Sequence, residues 1–217
     1  MQDSTGHPHV RKASAAMFDG IIYNVGALGR SHDASRDYAM SNIADEIKSN
    51  LQKLIGLKLS RTSLAADMRV LQFGKSHSLA RGGVVGEYAL HIQCPWRLEN
   101  DAGIITGSHD LYDPYEKGDA VDDSFDWEKG LSLQEGILRE QLQGYDENTR
   151  QIVNATNLLV VEDVQADSSG GFCLALSGGY RFLVFPSGTR TEAWRFFKPS
   201  TAEFDSDAPQ FVVPHEV

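Results

Sequence analysis

The chain has 217 residues, 41% of them hydrophobic and 23% charged, a balance that supports a packed core and excludes wholesale disorder. Its formal net charge is −10. With no basic stripe and no apolar run near the length a bilayer needs, direct nucleic-acid binding and membrane spanning are not expected.

Residues 1–16 read as a flexible polar tail without the apolar centre of a secretory signal, so a cytoplasmic location is the expectation. Met1 and Met17 are both candidate starts. A short strand is expected over Gly20–Leu28. From Asp33 to Ile55, Ile43, Ile47, Leu51 and Leu54 recur at helical spacing, and Gly56 stands where a left-handed cap would end the helix. Strands are expected at Leu57–Ser60, Met68–Phe73, Glu87–Arg97 and Gly103–Gly107. In Glu87–Arg97, Tyr88, Leu90, Ile92, Cys94 and Trp96 alternate with polar residues, and Pro95 requires an edge or a bulge.

A long irregular segment, Ser108–Lys129, precedes a second helix over Ser132–Gln143, where Ser132 and Glu135 form a capping box. The last third reads as an antiparallel meander. Its strands are Thr156–Val164, Phe172–Leu176, Tyr180–Phe185 and Thr191–Phe197, with Ser177-Gly178-Gly179 as a hairpin turn. The apolar patch Phe211–Val213, inside a tail over 200–217, can return to the sheet. The expected fold is one α+β domain over 17–199. It consists of a mostly antiparallel curved sheet of about seven to nine strands packed against one long helix, with a second short helix. Trp96, Trp194, Tyr88, Leu90, Ile92, Leu174, Leu176, Phe182 and Phe196 are the expected core.

Charge is distributed unevenly. Between Asp101 and Asn148 stand thirteen acids and only three bases, an excess that equals the whole imbalance. A local field of that sign attracts a basic protein or a cation, though a solvated loop that aids solubility has the same composition. The candidate binding residues are Asp110, Asp113, Glu116, Asp119, Asp122, Asp123 and Asp126. They lack the spacing of an EF-hand, and adjacent Asp122 and Asp123 would point apart on a strand, so no metal is assigned.

Other chemistry is sparse. There is no Gly-x-Ser-x-Gly elbow, no Cys-x-x-Cys, no His-Glu-x-x-His and no phosphate-binding loop. Cys94 and Cys173 sit in apolar strands and read as free buried thiols. The alternative site is a polar sheet face. Arg97 and Arg195 each follow a Trp, so each projects opposite it, and on neighbouring strands they would share a surface with His91. Ordinary ion pairing with Glu87 or Glu192 accounts for the same residues.

The strings GEYALHIQCPWRL (86–98), IITGSHDLYDP (104–114), LSGGYRFLVFPSG (176–188) and EAWRFF (192–197) resemble an uncharacterised family of small bacterial proteins. Some small acidic proteins of this kind are encoded beside secreted toxins, as immunity proteins. The resemblance implies a binding role and carries over no catalytic residue. The expectation is therefore a non-enzymatic, cofactor-free binding protein with a basic protein partner. The alternatives are a small-molecule- or metal-dependent enzyme using His91, Arg97, Asp110 and Arg195, and a subunit of a homo-oligomer.

Overall fold

The computed structural model describes residues 34–79, 82–116, 125–141, 145–146, 151–152, 159–199 and 210–213, with backbone alone for 34–42, 145–146 and 151–152. The strand expected at Gly20–Leu28 and the tail over 1–16 lie outside them. All described elements belong to the compact unit Ala34–Val217.

Helix α1 (Ala34–Leu51) continues into a 3-10 turn at Gln52–Leu54. Ile47, Leu51 and Leu54, the apolar positions of the helical stripe, are fully buried, and Ile43 packs against the same core. Gly56, at φ +81°, ends the run in the left-handed conformation that glycine adopts without a Cβ penalty. The expectation of one long helix under the sheet is not met. The α-helical geometry stops at Leu51, and among the described side chains those that reach the core lie in its last turns and in the tighter turn that follows.

The strands follow in chain order: β1 (Leu59–Ala65), β2 (Met68–Phe73), β3 (His77–Ser78), β4 (Val84–Val85), β5 (Tyr88–Ile92), β6 (Trp96–Asn100) and β7 (Gly103–Gly107). A 3-10 turn at Ser108–Leu111 leads towards helix α2 (Leu133–Gln141). The remainder is β8 (Tyr145–Asp146), β9 (Gln151–Ile152), β10 (Val161–Ala166), β11 (Phe172–Leu176), β12 (Tyr180–Val184), β13 (Trp194–Phe197) and β14 (Gln210–Val213). Every paired strand is antiparallel to its neighbour.

The expected single curved sheet is two sheets. One runs β1-β2-β5-β13-β14 and the other β10-β11-β12-β6-β7, with β3-β4 and β8-β9 as separate ribbons. The change of sheet occurs inside Glu87–Arg97, which is not one strand. Pro95 has no N–H to continue a ladder, so the chain leaves the first sheet after Ile92 and enters the second at Trp96. Gln93 N–H donates to the Ala193 carbonyl at 2.8 Å and Phe185 N–H donates to the Pro95 carbonyl at 2.8 Å, so each end of the crossing is held by a different sheet. The β12–β13 connection crosses back.

Between the sheets lies one hydrophobic core. In the first sheet Leu71, Leu90 and Phe196 stand in one cross-strand row, and Ile92, Trp194 and Val213 in the next. In the second, Leu174, Phe182 and Leu98 are aligned. The Phe172 ring meets Trp194 edge-on across the gap, with centroids 4.8 Å apart, and the Trp194 indole N–H donates to the Gly170 carbonyl at 2.8 Å. Each such fully buried large side chain contributes about 1.5–3 kcal/mol. Eight of the nine expected core residues are buried, and Tyr88 packs partly exposed against them. No helix among the described residues is long and apolar enough to cross a membrane.

Candidate functional site

The acidic segment is rooted on both sides. Where β7 ends, the Asp110 carboxylate accepts from the Thr106 hydroxyl at 2.8 Å and from Gly107 N–H at 3.1 Å, closing the 3-10 turn. Leu111 plugs that turn into the interior. The two sides of the segment then pair. Leu133 N–H donates to the Asp113 carbonyl at 2.7 Å, Tyr115 N–H donates to the Leu131 carbonyl at 3.0 Å, and Pro114 and Ser132 form a β-bridge. The start of α2 is fixed by its cap, with Glu135 N–H donating to the Ser132 hydroxyl at 3.2 Å.

A glycine completes this neck. Tyr115 lies flat on α2 at Gly136, where an added Cβ would stand 1.9 Å from the ring. The Tyr115 hydroxyl donates to Glu140 one turn further on. Asp113, Glu116 and Glu128 are exposed, and their carboxylates have no partner among the described residues. Asp126 is held by Lys129 at 2.6 Å, and that hydrogen bond keeps its carboxyl below the usual range. Asp119, Asp122 and Asp123 lie outside the described residues.

The alternative site does not assemble. His91 and Arg195 are cross-strand partners on the outer face of the first sheet. Arg97 belongs to β6, in the second sheet, so the two guanidinium groups share no surface. Each arginine is engaged locally. Arg195 donates to Glu192 from Nε at 2.5 Å and Nη2 at 2.6 Å, and from Nη1 to Gln210 at 3.2 Å. Arg97 donates to Glu99 at 2.6 Å and stacks over Phe185 at 5.0 Å. Burial, then the nearby Arg195 charge, hold the His91 imidazole below its usual pKa, with Glu192 opposing them. Asp110 is turned onto its own capping partners. The four groups are therefore not one catalytic constellation.

The structure adds a feature that residue patterns did not reveal. A cleft of about 190 Å³ opens beside the root of the acidic segment, with Asp67, Cys94, Trp96, Ser108, His109 and Tyr112 around it. These come from the β1–β2 hairpin, the sheet crossing and the 3-10 turn. Ala66, at φ +52°, is the one non-glycine residue with positive φ among those described, and its turn sets Asp67 at the rim. The Asp67 carboxylate has no partner among the described residues.

Behind the cleft sits a buried cation. Arg69 is fully buried on the core face of β2. Its Nη1 donates to Thr62 at 3.1 Å and Glu135 at 2.9 Å, and its Nη2 donates to Gln134. Its guanidinium lies 5.8 Å from the Trp96 ring centre. Gln134 in turn donates to the Gly107 carbonyl at 2.8 Å. This network bolts α2 to both sheets. Burial pushes the Cys94 thiol up to about 11, so it is protonated near neutral pH and is a poor nucleophile.

No cluster of three His, Cys, Asp or Glu suited to a metal ion occurs among the described residues. No protein-family model, curated protein or solved structure matches the chain.

Proposed function

We propose that this chain is a non-enzymatic binding protein that presents its acidic segment to a basic protein partner. The observation that carries the reading is the clamped neck. The two backbone hydrogen bonds of the Pro114–Ser132 bridge and the Tyr115–Gly136 seat fix the base of the segment, and the carboxylates of Asp113, Glu116 and Glu128 are exposed with no partner among the described residues. Such groups retain their field for a partner, whereas carboxylates already paired would not. Tyr112, 54% exposed, and Leu131, 38% exposed, flank the neck and supply aromatic and apolar contact area among the acids. An immunity-type role, in which an acidic protein covers a basic one, fits this surface.

The test is capture of partners from the source cells at low and high salt, with the wild-type chain and the triple variant Asp113→Asn/Glu116→Gln/Glu128→Gln. A basic protein should be retained by the wild type at low salt and released at high salt, where exposed charges are screened. The triple variant should fail to retain it. Recovery of no specific partner, or equal retention by the variant, would overturn the reading.

A further inference from the structure

Resting on that reading, we infer that the cleft between Asp67 and Tyr112 is the anchor pocket for a single cationic side chain, lysine or arginine, of the basic partner. Size is the first argument. At about 190 Å³ the cleft is below the roughly 300–1,000 Å³ of small-molecule sites, but a single extended side chain can enter it. Interfaces concentrate their binding energy where one side chain fills a pocket of this kind.

Charge is the second. The lining carries the exposed carboxylate of Asp67, which has no partner among the described residues, and the chain running from Tyr112, also in the lining, continues directly into Asp113 and Glu116. The positive charge behind the wall, Arg69, is ion-paired with Glu135 at 2.9 Å, a carboxylate that Arg139 also approaches at 3.7 Å, and lies 5.8 Å from the Trp96 ring centre. Fully buried and absent from the cleft lining, it does not offer the cleft an anion-binding group. The incoming cation is received instead by Asp67 and by the exposed Tyr112 ring, which is steadied edge-on by Trp127 at 6.1 Å.

Shape is the third. Cys94 is a neutral thiol at this pocket, and a protonated, weakly polar wall suits the methylene stem of a lysine or arginine while its charged head stays near the carboxylate.

The experiment titrates the isotope-labelled full chain with hexalysine, and separately with fully Nε-acetylated hexalysine, at low salt near neutral pH. Amide shifts report the site. Hexalysine should produce saturable shifts at Asp67, Ser108 and Tyr112, and the acetylated peptide should not. Asp67→Asn, which keeps a residue suited to the hairpin turn, should bind about fivefold more weakly, the factor expected from losing a partly exposed ion pair. Tyr112→Ala should weaken binding to a similar degree. If hexalysine shifts only the residues around Asp113 and Glu116, and Asp67→Asn binds as the wild type does, the pocket assignment falls and the acidic-segment reading stands. If hexalysine shifts no residue, both fall.

Discussion

Arg69 shows how one side chain can decide an arrangement of elements. It occupies a core-facing position in a strand, MRVLQF, whose other polar residue is Gln72, and a cation there is tolerable only with hydrogen-bonded partners around it. Those partners are Thr62 on β1 and Gln134 and Glu135 on α2, so satisfying Arg69 also fixes where α2 sits. Arg69→Met should destabilise the fold by about 3–5 kcal/mol in urea unfolding, because the buried Gln134 carbonyl would lose its donor and Glu135 would keep only the longer Arg139 contact at 3.7 Å. Arg69→Lys should recover only part of that loss, since an ammonium cannot reproduce the guanidinium fork. Stability of Arg69→Met within about 1 kcal/mol of wild type would show the network to be dispensable. Composition and periodicity counted Arg69 only as one more base. Its role was not legible because two of its three partners, Gln134 and Glu135, lie more than sixty residues away along the chain.

The start of helix α2 was legible from its cap. Ser132 and Glu135 mark its start, and the buried Leu138 lies on the side that faces the core. What the pattern did not explain is the glycine inside it. Gly136 weakens the helix by about 1 kcal/mol relative to alanine, and the structure shows what is gained: a seat for Tyr115 that closes the neck of the acidic segment. Gly136→Ala should therefore have opposing effects. The helix gains propensity, so the thermal midpoint should change little. Tyr115 is displaced from α2, so limited trypsin cleavage at Lys129 should accelerate several-fold. Unchanged cleavage together with a raised midpoint would mean that Tyr115 does not hold the neck.

Across the whole molecule, both sheets contribute to its response to acid. On the first, the His91 imidazole is held neutral in the folded state by burial and by Arg195. The unfolded chain takes up that proton below its ordinary 6.5 while the folded chain does not, so stability should fall as pH drops from 6.5 to the lowered folded value. On the second, burial raises the Glu99 carboxyl, but the hydrogen bonds from Arg181 and Arg97 outweigh it and leave the group below its ordinary 4.5. Its contribution is present above 4.5 and should be lost as pH falls through the lowered value. Denaturant midpoints measured against pH should show two successive declines. His91→Gln should flatten the first and leave the second. A single decline unchanged by His91→Gln would contradict this account.

The amino-acid sequence by itself determined most of the apolar core, where the strands Phe172–Leu176 and Tyr180–Val184 lie, where α2 begins, and that the excess negative charge falls in one interval. Each of these is a local property, carried by side-chain periodicity of two or 3.6, by a cap, or by simple summation. Only the tertiary structure decided that Glu87–Arg97 splits between two sheets and that Arg97 and Arg195 do not meet. It alone also brought Asp67, Cys94 and Tyr112 around one cleft. Those outcomes depend on which strands become neighbours, and that is settled by shared burial and long-range pairing between segments whose local patterns are alike.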